Sequence, residues 1–307
     1  MRSPLILATR ASALALVQAN LVKSQLESRW PGLDVRLQKI TTSGDAILDR
    51  PLRSVGGKGL FVKEIEEALL QKRADFAVHS MKDVPADLPE GLKIGVLLKR
   101  EDSADVLLSR KYASLKTLPA GAVVGTTSLR RKIQLLKLRP DLKVQDLRGN
   151  VDTRIRKMEE GAYDAIILAW AGLKRLGRDC EVTEVLPFIG APGQGAIGIE
   201  YRAEDAELEN FLKVLHDEET ARRVLAERII LKNLEGGCEL PLGAQAFYEE
   251  GKLHLKAFLA NPSGTVFLED EVSGDPALAE ELGEKLTQLL MAGGAEKVLE
   301  EIRKIKK

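Results

Sequence analysis

The sequence predicts an α/β fold of two similar lobes, followed by a small α+β domain. Short apolar runs alternate with amphipathic helical patterns over the first two-thirds of the 307 residues, which is the βαβ rhythm of doubly wound sheets. The polar run Lys99-Arg100-Glu101-Asp102-Ser103-Ala104-Asp105 breaks that rhythm and reads as a hinge, after which a strand and a capped helix begin again much as they did at the N-terminus. From about Glu218 the pattern changes to a long helix, a hairpin and two closing helices.

Leu5–Ala8 opens the chain as a strand, and Ser12 is a good N-cap for the helix that follows. Its apolar positions recur at Leu14, Val17 and Leu21 until Pro31-Gly32 stops it. Residues 33–40 begin with strict alternation of Leu33, Val35 and Leu37, and a helix starts again near Val62. Phe76–His79, Ile94–Leu98, Ala122–Val124, Val144–Leu147 and Ala165–Leu168 are further strands, with helices between most of them. The Gly/Pro-rich stretch from Pro187 to Gly198 marks a second crossing between lobes, and Ile197–Tyr201 reads as a strand. A helix over Thr220–Leu234 ends at Gly236-Gly237. Leu253, Leu255, Ala257 and Leu259 then alternate as a strand, and Asn261-Pro262-Ser263-Gly264 turns the chain into its partner. Two such lobes would face a cleft, with ligands collecting beyond the carboxyl ends of the strands.

Composition narrows the function. Basic and acidic residues balance at 46 each, so the overall field recruits neither nucleic acid nor membrane, and aromatics at 4% offer few stacking platforms. Ala165–Leu173, the longest apolar stretch, is too short for a bilayer span, and the N-terminal apolar run does not read as a signal peptide. Cys180 and Cys238 lie far apart with no metal-type spacing, so no metal is expected and a reducing cytoplasm fits.

Arginine recurs where a strand hands over to a helix: at Thr9-Arg10-Ala11-Ser12, at Thr126-Thr127-Ser128-Leu129-Arg130-Arg131, and at Arg148-Gly149-Asn150 with Arg154 one turn on. A helix start offers unpaired N–H groups and a positive dipole end, and guanidinium forks grip carboxylate or phosphate. Three such clamps suggest a small ligand with several negative charges, although surface arginines at helix starts are ordinary. Gly193-Gln194-Gly195-Ala196-Ile197-Gly198 has G-x-G-x-x-G spacing but lacks the strand–helix context of a dinucleotide site, so a crossing turn with Gln194 toward the cleft is the better account. The stretch from 42 to 59, with Gly56-Gly57-Lys58-Gly59, reads as a lid-like or plain solvent loop. Asp83, after Lys82 at a strand's carboxyl end, could steady a developing positive centre or pass a proton, or simply form an ion pair. His79 reads as a packed histidine. Cys238, in a shaped Gly/Pro loop, suits either a nucleophile or a structural thiol.

Taken together, His79–Pro85, Gly125–Arg131, Leu147–Arg154, Gly56–Phe61, Gly193–Glu200 and Gly236–Gly243 resemble the porphobilinogen deaminase family (HSMKDVP, GTTSLRR, LRGNVDTR, GGKGLF, GQGAIGIE, GGCELPLG). The similarity runs from Arg10 to Gly243, and the last sixty residues match only in domain character. It implies two periplasmic-binding-protein-like (type II) lobes and a small third domain. Domain 1 would span 1–98 and 196–215, domain 2 104–190 and domain 3 218–307. It also implies a dipyrromethane cofactor attached by a thioether to Cys238, and condensation of four porphobilinogens into hydroxymethylbilane with loss of ammonia.

By the same resemblance, Lys82, Asp83, Thr127, Ser128, Arg130, Arg131 and Gly149 would contact the cofactor. Arg10, Ser12, Gln18, Ser80, Arg148, Arg154, Arg175 and Gln194 would contact substrate, Phe61 would pack on a pyrrole, and Lys58 would belong to the lid. Asp83 would stabilise the cationic azafulvene left when ammonia departs. Haem and porphyrin biosynthesis, a cytoplasmic monomer, and no nucleic-acid or membrane partner complete the expectation. Two rivals share the same residues: a hinged anion-binding protein that needs no Cys238, and a cysteine-nucleophile hydrolase that needs a free thiol.

Overall fold

The apolar runs become strands of two five-stranded sheets in a computed structural model that describes residues 3–46, 59–234 and 240–305. In chain order, β1 (Leu5–Arg10) leads to α1 (Ala13–Arg29), β2 (Val35–Ile40), the single turn α2 (Ser43–Ala46) and α3 (Lys63–Leu70). After β3 (Phe76–Ser80) and β4 (Leu92–Leu97) come β5 (Asp105–Leu108), β6 (Val123–Gly125) and α4 (Leu129–Leu138). Next are β7 (Lys143–Gln145), α5 (Val151–Glu159), β8 (Ala165–Ala169), α6 (Trp170–Arg175), β9 (Glu184–Val185), β10 (Ile197–Arg202) and α7 (Ala206–Leu212). The chain closes with α8 (Glu218–Asn233), the strands β11 (Leu242–Glu249), β12 (Lys252–Ala260) and β13 (Phe267–Gly274), then α9 (Ala279–Ala292) and α10 (Ala295–Ile305).

The chain divides into two compact units, one of residues 1–101 with 195–221 and the other of residues 102–194 with 222–307. The first holds the sheet β2-β1-β3-β10-β4, in which β10 alone runs against its neighbours β3 and β4. The second holds β7-β6-β8-β5-β9, in which β5 is likewise antiparallel to β8 and β9. Each sheet thus takes the strand that follows a crossing as its one reversed member, at the same fourth place. This is the type II periplasmic-binding-protein-like lobe, built twice. Central strands are buried on both faces, which is why Phe76–His79 and Ala165–Leu168 read as unbroken apolar runs rather than alternating ones.

The polar run after Lys99 does not stay polar in space. Asp105, its last residue, is fully buried as the first residue of β5, a strand that the hinge reading hides. A second strand, β11, also escapes the sequence pattern, because Gly243, Ala244 and Ala246 are too small to mark a buried face.

The second unit also contains the antiparallel sheet β11-β12-β13. One face of β12 buries Leu253, Leu255, Ala257 and Leu259 completely against α8, α9 and α10. The other face puts Phe258 and Ala260 against Ile133 of α4, with Phe258 stacked on Phe267 at 4.7 Å between ring centres. A Cβ on Gly243 would lie 2.5 Å from the Phe258 ring, so the approach needs glycine. This packing joins residues expected in separate second and third domains within one unit. The exposed edge strand β13 carries Glu269, Asp270 and Glu271, charges that discourage pairing with another chain.

A buried carboxylate fastens α8 to the same unit. Glu227 is 0% exposed and accepts hydrogen bonds from the backbone N–H of Gly193 and of Ala246, each at 2.7 Å. Glu227→Ala removes the acceptor of both, and unsatisfied buried N–H groups cost about 1–3 kcal/mol each. We expect a loss of about 2–4 kcal/mol on denaturant unfolding, with Glu227→Gln losing less because its amide oxygen can still accept.

Candidate active site

All three arginine turns form at strand-to-helix junctions. Ser12 caps α1 by accepting from the N–H of Ala15 at 3.4 Å, and Ser128 caps α4 by accepting from Arg131 at 3.5 Å. Asn150 caps α5 from Thr153 at 2.9 Å, so the third turn uses an amide rather than a hydroxyl. Arg10, Arg148, Arg154 and Arg175 are half-buried, the last closing α6. The Arg154 Nε donates to the Gly149 carbonyl at 2.8 Å. Gly149 sits at φ 110°, where a Cβ would also lie 2.6 Å from Thr153, so both backbone and space demand glycine.

In the first unit, Arg10, Ser12, Gln18, Phe61, His79, Ser80 and Asp83 line one small, open hollow. The Phe61 ring lies 4.3 Å from the Arg10 guanidinium, a cation–π contact that holds both side chains at the rim. Gln18 is buried, and its amide donates to the Ser80 hydroxyl at 2.9 Å. Ser80 begins a tight turn, Met81–Asp83, that leaves Lys82 and Asp83 half-buried. The turn is anchored from below, where Met81 N–H donates to Ala196 O at 3.0 Å. A Cβ on Gly198 would lie 2.2 Å from the Met81 sulphur. The last glycine of the G-x-G-x-x-G stretch therefore makes room for the Asp83 turn and has no part in a dinucleotide loop.

Beneath the hollow lies a cluster the sequence does not signal. His79 Nε2 meets Glu200 Oε2 at 2.9 Å, both side chains being at most 4% exposed, which bears out His79 as a packed residue. Glu66 of α3 joins them, and its carboxyl is pushed up to about 7 by burial and by the neighbouring Glu200 charge. Residues 66, 79 and 200 are too far apart in sequence for any spacing rule to link them.

In the second unit, Arg130 and Arg131 are each 5% exposed and converge on Asp105. Asp105 accepts from Arg130 Nη1 at 2.6 Å and from Arg131 Nε and Nη2 at 3.0 and 2.8 Å. Burial acts to raise the Asp105 pKa, but the two guanidiniums hold it well below the usual carboxylate range. Gln194 differs from its expected cleft-facing place: it is 1% exposed, and its amide donates to Ser103 O at 2.8 Å and to Asp105 at 2.9 Å. The carboxylate of Asp105 draws it inward. Thr127 donates to the Leu147 carbonyl at 3.3 Å. Lys58, Cys238 and most of the 42–59 loop lie outside the described residues. Among the described residues no group of acidic, histidine or cysteine side chains could hold a metal ion, and Cys180 is exposed.

Residues 5–210 match the family model "Porphobilinogen deaminase, dipyromethane cofactor binding domain", and residues 221–292 match "Porphobilinogen deaminase, C-terminal domain". The chain belongs to the porphobilinogen deaminase family. Porphobilinogen deaminase of Maridesulfovibrio salexigens is 52% identical over 96% of this chain and 97% of its own length, and that of Syntrophobacter fumaroxidans is 52% identical over 96% of each. Among solved structures, a methionine-binding protein covers 71% of this chain and 91% of its own at 14% identity, with a TM-score of 0.45. A nutrient-binding protein from Burkholderia cenocepacia bound to methionine covers 68% and 89% at 16% identity, with a TM-score of 0.43. The family is one of transferases, and its cofactor is dipyrromethane. Guanidiniums and capped helix starts are the donor set that a carboxylate-bearing dipyrrole requires, so the residues present fit that group.

The raised pKa of Glu66 has a consequence for stability. Between its ordinary value of 4.5 and about 7, the folded protein keeps a proton that the unfolded chain has released. Stability therefore falls as pH rises through that window. Glu66→Gln cannot ionise, so it should exceed the parent protein's stability above pH 7 by up to about 3 kcal/mol. Thermal melts across pH should show that advantage fading towards pH 4.5.

Proposed function

We propose that this chain condenses four porphobilinogens head to tail into hydroxymethylbilane with release of ammonia, using Asp83 for chemistry and Cys238 as the thioether anchor of its cofactor. Family membership over nearly the whole chain carries the activity. The observation that supports the assignment of Asp83 is the hollow it shares with Arg10, Ser12 and Ser80. When bound, dipyrromethane supplies the nucleophilic pyrrole carbon to which the first substrate is joined.

The chain's own residues supply binding and charge. Arg10 and Ser12, at the start of α1, suit the acetate and propionate of porphobilinogen, as do Arg148, Arg154 and Arg175. Gln18 holds Ser80 in place beside Arg10 and Ser12. Lys82, Thr127, Ser128, Arg130, Arg131 and Gly149 suit the cofactor's carboxylates, and Phe61 offers an apolar face to a pyrrole. Lys58 is assigned to the substrate side by the family resemblance alone. Loss of ammonia leaves a cationic azafulvene from porphobilinogen, and the Asp83 carboxylate lowers the energy of that cation. The half-burial of Asp83 limits screening by water. Before turnover begins, a Cys238 thiolate can trap the same kind of electrophile once. Balanced overall charge suits a cytoplasmic monomer with no nucleic-acid partner, and no described helix is long and apolar enough to cross a membrane.

Intact mass spectrometry tests the anchor. The purified protein should carry an added mass of two pyrrole units, lost in Cys238→Ser, and a thiol-alkylating reagent should label Cys180 but not Cys238. A fully folded, unmodified protein would favour a simple anion binder instead. For the chemistry, Asp83→Asn should fold and keep its cofactor while kcat falls by about 100-fold or more. Near-normal turnover in that variant would remove Asp83 from the reaction.

A further inference from the structure

Two buried guanidiniums side by side repel each other and have lost their water. Arg130 and Arg131 tolerate this because Asp105 lies against both. Its Oδ2 accepts from Arg130, while its Oδ1 accepts from Arg131 twice and from Gln194. Each guanidinium is further held by a backbone carbonyl, Arg130 by Ile189 O at 2.6 Å and Arg131 by Ile167 O at 3.0 Å. Both side chains are thus fixed at two separate acceptors before any ligand arrives.

A guanidinium carries five N–H donors. The protein's own acceptors use two on Arg130 and three on Arg131. The remaining donors, and the one positive charge by which the two arginines exceed Asp105, suit an anion. Asp105 itself has its lone pairs occupied by arginine and glutamine, so it does not compete for a ligand's donors.

We propose that Asp105 is a positioning residue of the carboxylate-binding site, locking the guanidiniums of Arg130 and Arg131 in the arrangement that receives the carboxylates of the dipyrromethane cofactor. Gln194 assists by holding Asp105 from the opposite side. The proposal rests on the cofactor reading above and adds to it two residues, neither of which would itself touch the ligand. In Asp105→Asn the carboxylate is lost, the guanidiniums repel without a counter-charge, and the prepared arrangement disperses. A purely structural ion cluster would change the yield of folded protein and nothing else.

The experiment uses full-length protein and measures, for folded molecules only, the fraction carrying the two-pyrrole mass. It also measures the rate at which cofactor-free protein gains that mass when porphobilinogen is added. For folded Asp105→Asn we expect loading at least about 10-fold slower than the parent, with partial recovery in Asp105→Glu, which restores the charge one methylene further out. Gln194→Ala, which keeps every charge, should fold and load about 3-fold more slowly. Parent-like loading in folded Asp105→Asn overturns the proposal. If that variant does not fold, parent-like loading in Gln194→Ala overturns it. Absence of the two-pyrrole mass from the parent protein would instead sink the cofactor reading itself, so the two failures are distinguishable.

Discussion

A carboxylate buried between two guanidiniums organises the second unit. Asp105 lies at 0% exposure where β5 begins, and the charge it carries makes it possible for Arg130 and Arg131 to be buried at the start of α4. Without it, the turn after β6 would present two like charges to a low-dielectric interior, a cost of several kcal/mol or more. With it, both guanidiniums are held by fixed acceptors, Asp105 and the carbonyls of Ile189 and Ile167. The same pairing explains why a polar run read as a hinge ends in a buried strand. Burial of one aspartate is tolerated where two arginines and an amide converge on it.

The first unit reaches a prepared site by different means. Around Asp83 the shaping is done by main chain and space: the Met81–Ala196 hydrogen bond, the missing Cβ at Gly198 and the Gln18–Ser80 bond. Beneath the hollow, the buried His79–Glu200 pair lies beside Glu66, whose carboxyl is pushed up to about 7 by burial and the Glu200 charge.

Topology connects these details. In each sheet the single reversed strand is the one that follows a crossing, and each of these strands carries residues on which its unit's site depends. β5 brings Asp105 to the arginines of α4, and β10 brings Gly198 beneath the Asp83 turn. A crossing strand is therefore more than a connection, because it delivers a distant part of the chain to the floor of each site.

Much of this could be read from the residues in order. Caps and apolar runs are local signals, so Ser12, Ser128, the strand over Phe76–His79 and the alternation at Leu253–Leu259 all form as their patterns suggest. The six motifs together likewise point to the family, and the arginine turns are legible from their caps. What escaped was non-local. Asp105 looks like one more charge in a polar run until Arg130, Arg131 and Gln194 are brought to it, and Glu66 looks like a surface helix residue until Glu200 lies beside it. β11 has small residues whose burial only Phe258 and the neighbouring strand reveal. Local propensity and capping act over a few residues and are written in their spacing. The ionisation of a carboxylate, the burial of an arginine and the need for a glycine depend on what the fold places against them, and only the tertiary structure decides that.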